Sequence, residues 1–199
     1  MTNYIQNHDV LARRARQRRM SRNEQQVLAL VDAMFEGHSR YLVLVLNLNY
    51  KSEYRDTVTL DDLRLDREHL FDNLRSNPIL SGIEGYAWKI EEGRRGGGLH
   101  MHVVLFYNGE YQKDIYYADY IGQYWENVVT QGRGDYDSSN RRKHQNERGP
   151  YGDITGRVDR NDEKRERLCE FLVEYIAKEE QQVTSWDAAG IRRFGTSRL

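Results

Sequence analysis

Cysteine is nearly absent: Cys169 is the only one among 199 residues. A single thiol forms no internal disulfide and completes no cysteine zinc cluster, so a disulfide scaffold and a zinc finger are both excluded. Long hydrophobic runs are missing too. The longest apolar stretches, Tyr41 to Leu46 and Met101 to Tyr107, fall far short of the roughly 20 residues that span a bilayer. No secretory-signal pattern opens the chain, so no membrane partner is expected and the cytoplasm is the expected compartment. A basic surplus, the usual mark of a nucleic-acid binder, is also lacking, because the formal net charge is −1.

What is present is a charged, globular composition, 38% hydrophobic and 31% charged, enough for one core under a well-solvated surface. The average charge hides a local cluster. Arg13, Arg14, Arg16, Arg18, Arg19 and Arg22 crowd one short stretch, which suits phosphate contacts or an unfolded arm. Residues 1–21 are therefore expected to form a basic N-terminal arm and residues 22–199 a single domain.

Periodicity sets out the elements. Val27, Leu30, Val31, Met34 and Phe35 recur at helical spacing, with Gly37 following as a C-cap. Arg40 to Tyr50 is apolar on both faces before it alternates, the pattern of a central strand. Leu63, Leu65, Leu70, Phe71 and Leu74 mark a second helix over 61–74 that stops before Asn77-Pro78. Strands Ile83 to Glu91 and Leu99 to Tyr107 flank a glycine-rich turn as a β-hairpin. A third helix covers 116–129, with Tyr117, Tyr120, Ile121, Tyr124, Trp125 and Val128 on its apolar face. Residues 132–149 read as an exposed loop with room for a short strand, and 151–158 as a last strand. A final helix over 162–181 buries Leu168, Phe171, Leu172, Tyr175 and Ile176. This order predicts an α+β fold, a ferredoxin-like or RRM-like palm in which helices pack on a central antiparallel sheet.

His100 and His102 flank Met101 inside a predicted central strand, so both imidazoles point the same way, about 6.6 Å apart along the chain. Val104 and Phe106 continue that face, which puts the histidines at the end of a buried row. Two such rings can converge on one metal; the alternative is a pair of partly buried histidines bonded to backbone. A third ligand is available across the hairpin from Glu91 or Glu92. Glu91 is preferred, because Trp88 and Ile90 share one face and leave Glu91 on the other with Lys89. Two nitrogens and a carboxylate suit Mn²⁺ or Mg²⁺ acting on phosphate, and the ligand types also fit zinc. On the last helix Tyr175 and Lys178 stand three residues apart and share a face. Tyr175 is either a core residue with a satisfied hydroxyl or a nucleophile beside a cation. Arg94 and Arg95, in the glycine-rich turn, are placed to approach a DNA backbone. That turn is not an ATP loop, since no lysine and Ser/Thr follow the glycines.

Gly98-Leu99-His100-Met101-His102-Val103-Val104 resembles the HUH motif, and Glu174-Tyr175-Ile176-Ala177-Lys178 resembles the YxxK motif of single-tyrosine Rep endonucleases. Order and spacing match the inovirus-type replication initiation proteins from about Arg40 onward. Tyr86-Ala87-Trp88-Lys89-Ile90-Glu91 and Arg193-Phe194-Gly195-Thr196-Ser197-Arg198 add to the likeness; the strand Tyr41 to Asn49 matches the family's first motif only loosely. The resemblance implies a rolling-circle initiator with the histidine pair on a central strand. His100, His102 and Glu91 would hold the metal, and Tyr175 would attack a phosphate of single-stranded origin DNA beside Lys178. Arg94, Arg95 and the arginine arm would bind DNA, and a partner helicase, from the host, would open the duplex. A relaxase or single-tyrosine transposase shares this chemistry, and an RRM-like binding module is the non-enzymatic alternative.

Overall fold

The first helix starts where the sequence supplies a cap. Ser21 Oγ accepts from the Glu24 amide, and the Glu24 carboxylate accepts from the Ser21 amide. The computed structural model describes residues 21–93, 97–178 and 192–198. Helix α1 (Arg22–Gly37) leads into strand β1 (Arg40–Tyr50), and helix α2 (Leu60–Asp72), capped by Thr59, follows. Strands β2 (Ile83–Gly93) and β3 (Gly98–Asn108) form the hairpin. Gly98 sits at φ +67° against the Arg55 side chain, a backbone conformation that favours glycine. Helix α3 (Asp114–Tyr124) widens into a π turn, Trp125–Val129, before β4 (Gly134–Ser138) and a short helix α4 (Lys143–Asn146). Strand β5 (Gly156–Asp159) precedes helix α5 (Glu163–Phe171), which runs into a second π turn, Leu172–Ile176; β6 (Phe194–Thr196) ends the described chain.

The fold is α+β. Its six described strands make one antiparallel sheet in the order β4-β1-β3-β2-β6, with β5 also paired to β1. β4 and β5 share one edge of β1, pairing with Leu46–Tyr50 and Arg40–Val43 respectively. The buried side-chain amide of Asn140 fills the gap between them: its oxygen accepts from Val45 N–H at 2.9 Å and its nitrogen donates to Val43 C=O at 3.0 Å.

Alternation along the strands builds two cores. Leu44, Leu46, Met101, Val103 and Ile90 face α2 and α3, meeting Leu63, Leu70, Ile121 and Trp125. Val43, Val45, Val104, Phe106 and Ala87 face α1 and α5, meeting Val31, Phe35, Leu168 and Leu172. Each large side chain so buried contributes about 1.5–3 kcal/mol. A one-residue slip of β3 would exchange its two faces, so packing on both sides fixes where His100 and His102 point. Among the described residues no helix is long and apolar enough to cross a membrane.

Several expectations are corrected. Leu65 is 55% exposed, because it lies two residues from buried Leu63 and hence nearly opposite on the helix. Tyr120 and Val128 are exposed, the latter within the π turn that rotates the end of the third helix off the simple period. Gly37 is the last residue of α1, and the extended His38 caps it. Residues 132–149 supply the short strand foreseen there, β4, but they are not exposed throughout, because Asn140 is fully buried. The described helix after Asp162 ends at Ile176, short of residue 181. Arg13, Arg14, Arg16, Arg18 and Arg19 of the expected arm lie outside the described residues, as do Arg94 and Arg95.

Candidate active site

Three adjacent strands present the site side by side. Asn47 of β1 and Lys89 of β2 both stand directly opposite His102 of β3, and Glu91 stands opposite His100. Directly paired residues project to the same face, so all five side chains share the surface that α1 and α5 cover. The ligand-type atoms of Glu91, His100 and His102 all lie within 4.8 Å of one another. Glu91 Oε2 is 3.1 Å from His102 Nε2 and 3.7 Å from His100 Nε2. Donors held about 2.1 Å from one ion can be no more than roughly 4.2 Å apart, and both separations meet that limit.

Proton accounting also favours a cation here. His100 Nδ1 lies 3.3 Å from the Gly98 carbonyl, which fixes the proton on that nitrogen and leaves the Nε2 lone pair facing the Glu91 carboxylate. His102 Nε2 is 3.1 Å from Glu91 Oε2 and 3.0 Å from the Tyr175 hydroxyl, two partners for a nitrogen that offers one proton or one lone pair. Asn47 Oδ1 is buried without a hydrogen-bond partner. Acceptors thus outnumber protons, and a divalent ion would answer them. Glu91 is ready to serve: burial opposes its ionisation, but the two imidazoles and the Lys89 ammonium gathered at its oxygens outweigh burial and hold the carboxyl well below the usual range.

Tyr175 reaches this cluster from the second π turn, which is closed by Ala177 N–H donating to Leu172 C=O at 2.8 Å. π turns occur often at functional sites, where the wider loop re-aims a side chain. Phe171 stacks on the Tyr175 ring at 5.2 Å, and His102 meets it edge-on at 5.1 Å. Lys89 is its neighbouring cation, with Nζ 5.7 Å from the ring centroid, 3.5 Å from the Tyr175 carbonyl and 2.5 Å from Glu91 Oε1.

Comparisons with protein-family models, curated proteins and solved structures all return no counterpart. The reading therefore stands on the residues themselves. Of those expected from sequence, His100, His102, Glu91 and Tyr175 are brought together, while Glu92 is exposed. Lys178 does not share a helical face with Tyr175. The π turn ends at Ile176, and Lys178 lies exposed beyond it. Lys89 and Asn47 are the residues that sequence reasoning left without a role. Their signal was the alternation of β2 for Lys89, and the pairing of β1 with β3 for Asn47.

Proposed function

We propose that the chain is a metal-dependent endonuclease of the HUH class that nicks single-stranded DNA at a replication origin and initiates rolling-circle replication. The observation that carries this reading is the Tyr175 hydroxyl 3.0 Å from His102, beside a Glu91, His100 and His102 cluster that could hold a metal. The fold adds support: β1-α2-β2-β3-α3-β4 with sheet order β4-β1-β3-β2, and both crossover helices on one face, agrees with the ferredoxin-like palm that this reading calls for.

Glu91, His100 and His102, with Asn47 beside them, would hold Mn²⁺ or Mg²⁺, which when bound supplies the positive charge that polarises a phosphodiester. Phe171 and the π turn hold the Tyr175 ring so that its oxygen projects toward that cluster. The Tyr175 oxygen bonds phosphorus and the bond from phosphorus to the 3′ oxygen breaks. The phenol loses one proton and the departing 3′ oxygen gains one. The products are a 5′-phosphotyrosine and a free 3′-OH that primes synthesis; reversal of the step rejoins the strand. Lys89, held by Glu91, adds fixed positive charge near the ring. Duplex opening falls to a partner helicase of the host, since the glycine-rich turn lacks the lysine and Ser/Thr of an ATP loop. Such a protein works in the cytoplasm.

Incubation with single-stranded origin DNA and Mn²⁺, followed by a denaturing gel, tests this. Wild type should give a covalent adduct, with the nucleotide mapped by mass spectrometry to the Tyr175 peptide. Tyr175→Phe should abolish adduct and product while losing at most about 1–3 kcal/mol of stability. Nicking that persists in excess EDTA would remove the metal from the mechanism. An adduct on Tyr116, Tyr117, Tyr120 or Tyr124 would remove Tyr175.

A further inference from the structure

The sheet face opposite the histidines carries a second feature. Because β2 alternates, Lys89 and Glu91 face His102, while Tyr86 and Trp88 belong to the other core. There they line a cavity of about 850 Å³ between α2, β2 and the edge strand β6. That volume falls within the roughly 300–1,000 Å³ of ligand sites.

Four guanidiniums line this cavity: Arg67, Arg75, Arg192 and Arg198. Arg67 lies 4.3 Å over the Trp88 ring, and its side chain is 12% exposed. Its Nη2 donates to Glu68 at 3.2 Å, but its Nη1 is buried with no partner. Burial disfavours its charge, and nearby Arg64 and Arg192 add repulsion against the attraction of Glu68. Glu68 is itself shared with Arg64, and Glu84 turns to His38 at 3.5 Å. Arg75, Arg192 and Arg198 are exposed and form no ion pair among the described residues. Asp72 also lines the cavity and is exposed, so four guanidiniums face three carboxylates, two of which, Glu68 and Glu84, also serve Arg64 and His38; the surplus of cations suits an anion with several oxygens.

The walls narrow the choice. Phe71 and Tyr86 stack at 3.9 Å with planes 11° apart, and Arg67 on Trp88 forms a second flat layer. Arginines interleaved with aromatic planes suit a phosphate joined to a base, since bases stack on rings and on guanidinium planes alike. Strand β6 lies flush beside Trp88, where a Cβ on Gly195 would come within 2.6 Å of the indole. A DNA strand crossing this low edge would run from the Tyr175 face to the cavity.

We propose that this cleft binds an unpaired nucleotide of single-stranded DNA, with its phosphate among Arg75, Arg192 and Arg198 and its base against the Phe71–Tyr86 and Arg67–Trp88 layers. The assignment rests on the chain's being a DNA-processing protein but not on the chemistry of Tyr175.

The test uses the full chain carrying Tyr175→Phe, in EDTA, so that no strand is cut. Anisotropy of a short fluorescein-labelled oligodeoxythymidylate is followed across a salt titration. Adding Arg75→Glu with Arg198→Glu should leave the thermal midpoint unchanged, because neither side chain has a partner to lose among the described residues. Affinity should fall at least about tenfold at low salt, and the salt slope should flatten by about 0.7, the value for one single-strand phosphate. An oligomer carrying 5-iododeoxyuridine should crosslink to the peptides holding Phe71, Tyr86 or Trp88, a readout that needs no arginine variant. Unchanged affinity and slope, or crosslinks confined to β3 and the Tyr175 turn, would overturn the assignment. Failure of the nuclease reading looks different: wild type would give no adduct at Tyr175, while crosslinking in the cleft persists.

Discussion

Replacing Glu91 by glutamine keeps the size of the side chain and deletes its charge. Lys89 is then the residue that suffers, because it is only 7% exposed and its ammonium lies 2.5 Å from Glu91 Oε1. The other oxygen recorded near it is the Tyr175 carbonyl at 3.5 Å, at the limit of hydrogen bonding. Removing one partner of a buried pair costs about 3–5 kcal/mol, and the retained glutamine oxygen sets the expectation at the lower end, about 3 kcal/mol. For a chain of this size that lowers Tm by roughly 6–12 °C. Urea unfolding in EDTA should show a lower midpoint with an unchanged slope. Lys89→Met in the same background should recover most of the loss, since an apolar side chain of similar length needs no counter-ion. Mn²⁺ at about 100 times its Kd should stabilise wild type by about 2.7 kcal/mol and leave the double variant unmoved. A loss under about 1 kcal/mol for Glu91→Gln, or no recovery with Lys89→Met, would refute the view of Glu91 as the charge that holds this site together.

Asn140→Ala should cost about 3 kcal/mol in urea unfolding, because it strands the buried Val45 N–H and Val43 C=O and removes a 2.8 Å bond to Asp114. Alkaline titration should expose three buried phenols: burial, aided by Glu84, pushes Tyr41 up to about 12, and burial also raises Tyr50 and Tyr107. A phenol raised in the folded state stabilises fully below its unfolded value of about 10, so unfolding monitored by ellipticity should ease progressively as pH climbs from about 10 through 12. Stability that stays flat over that window would contradict their burial. Deleting residues 1–21 should weaken DNA binding most at low salt while a short saturating substrate is still cut; an unaltered salt dependence would make those arginines bystanders.

Much of the fold was legible because local rules and tertiary demands agree. Residues Arg40–Tyr50 form the strand that their apolar run predicts, and His100 and His102 share a face because strand geometry admits no other outcome. Alternation along β2 likewise separated Glu91 from Trp88 and Ile90. Strand β6 was not legible, since three residues carry too little periodicity to announce a strand, and it exists by pairing with Ala87–Lys89. Asn140 looked like a loop residue because its type says nothing of the gap in the β1 edge that its amide fills.

The sequence by itself determined which residue types bear chemistry and, through the period of two, which side of each strand they occupy. Only the tertiary structure decided which cation accompanies Tyr175. Helical spacing nominated Lys178, but the π turn breaks the 3.6-residue register and ends at Ile176, leaving Lys178 exposed. Strand pairing instead sets Lys89 opposite His102 and packing lays the Tyr175 ring over both, a meeting across 86 residues of chain that no local pattern encodes.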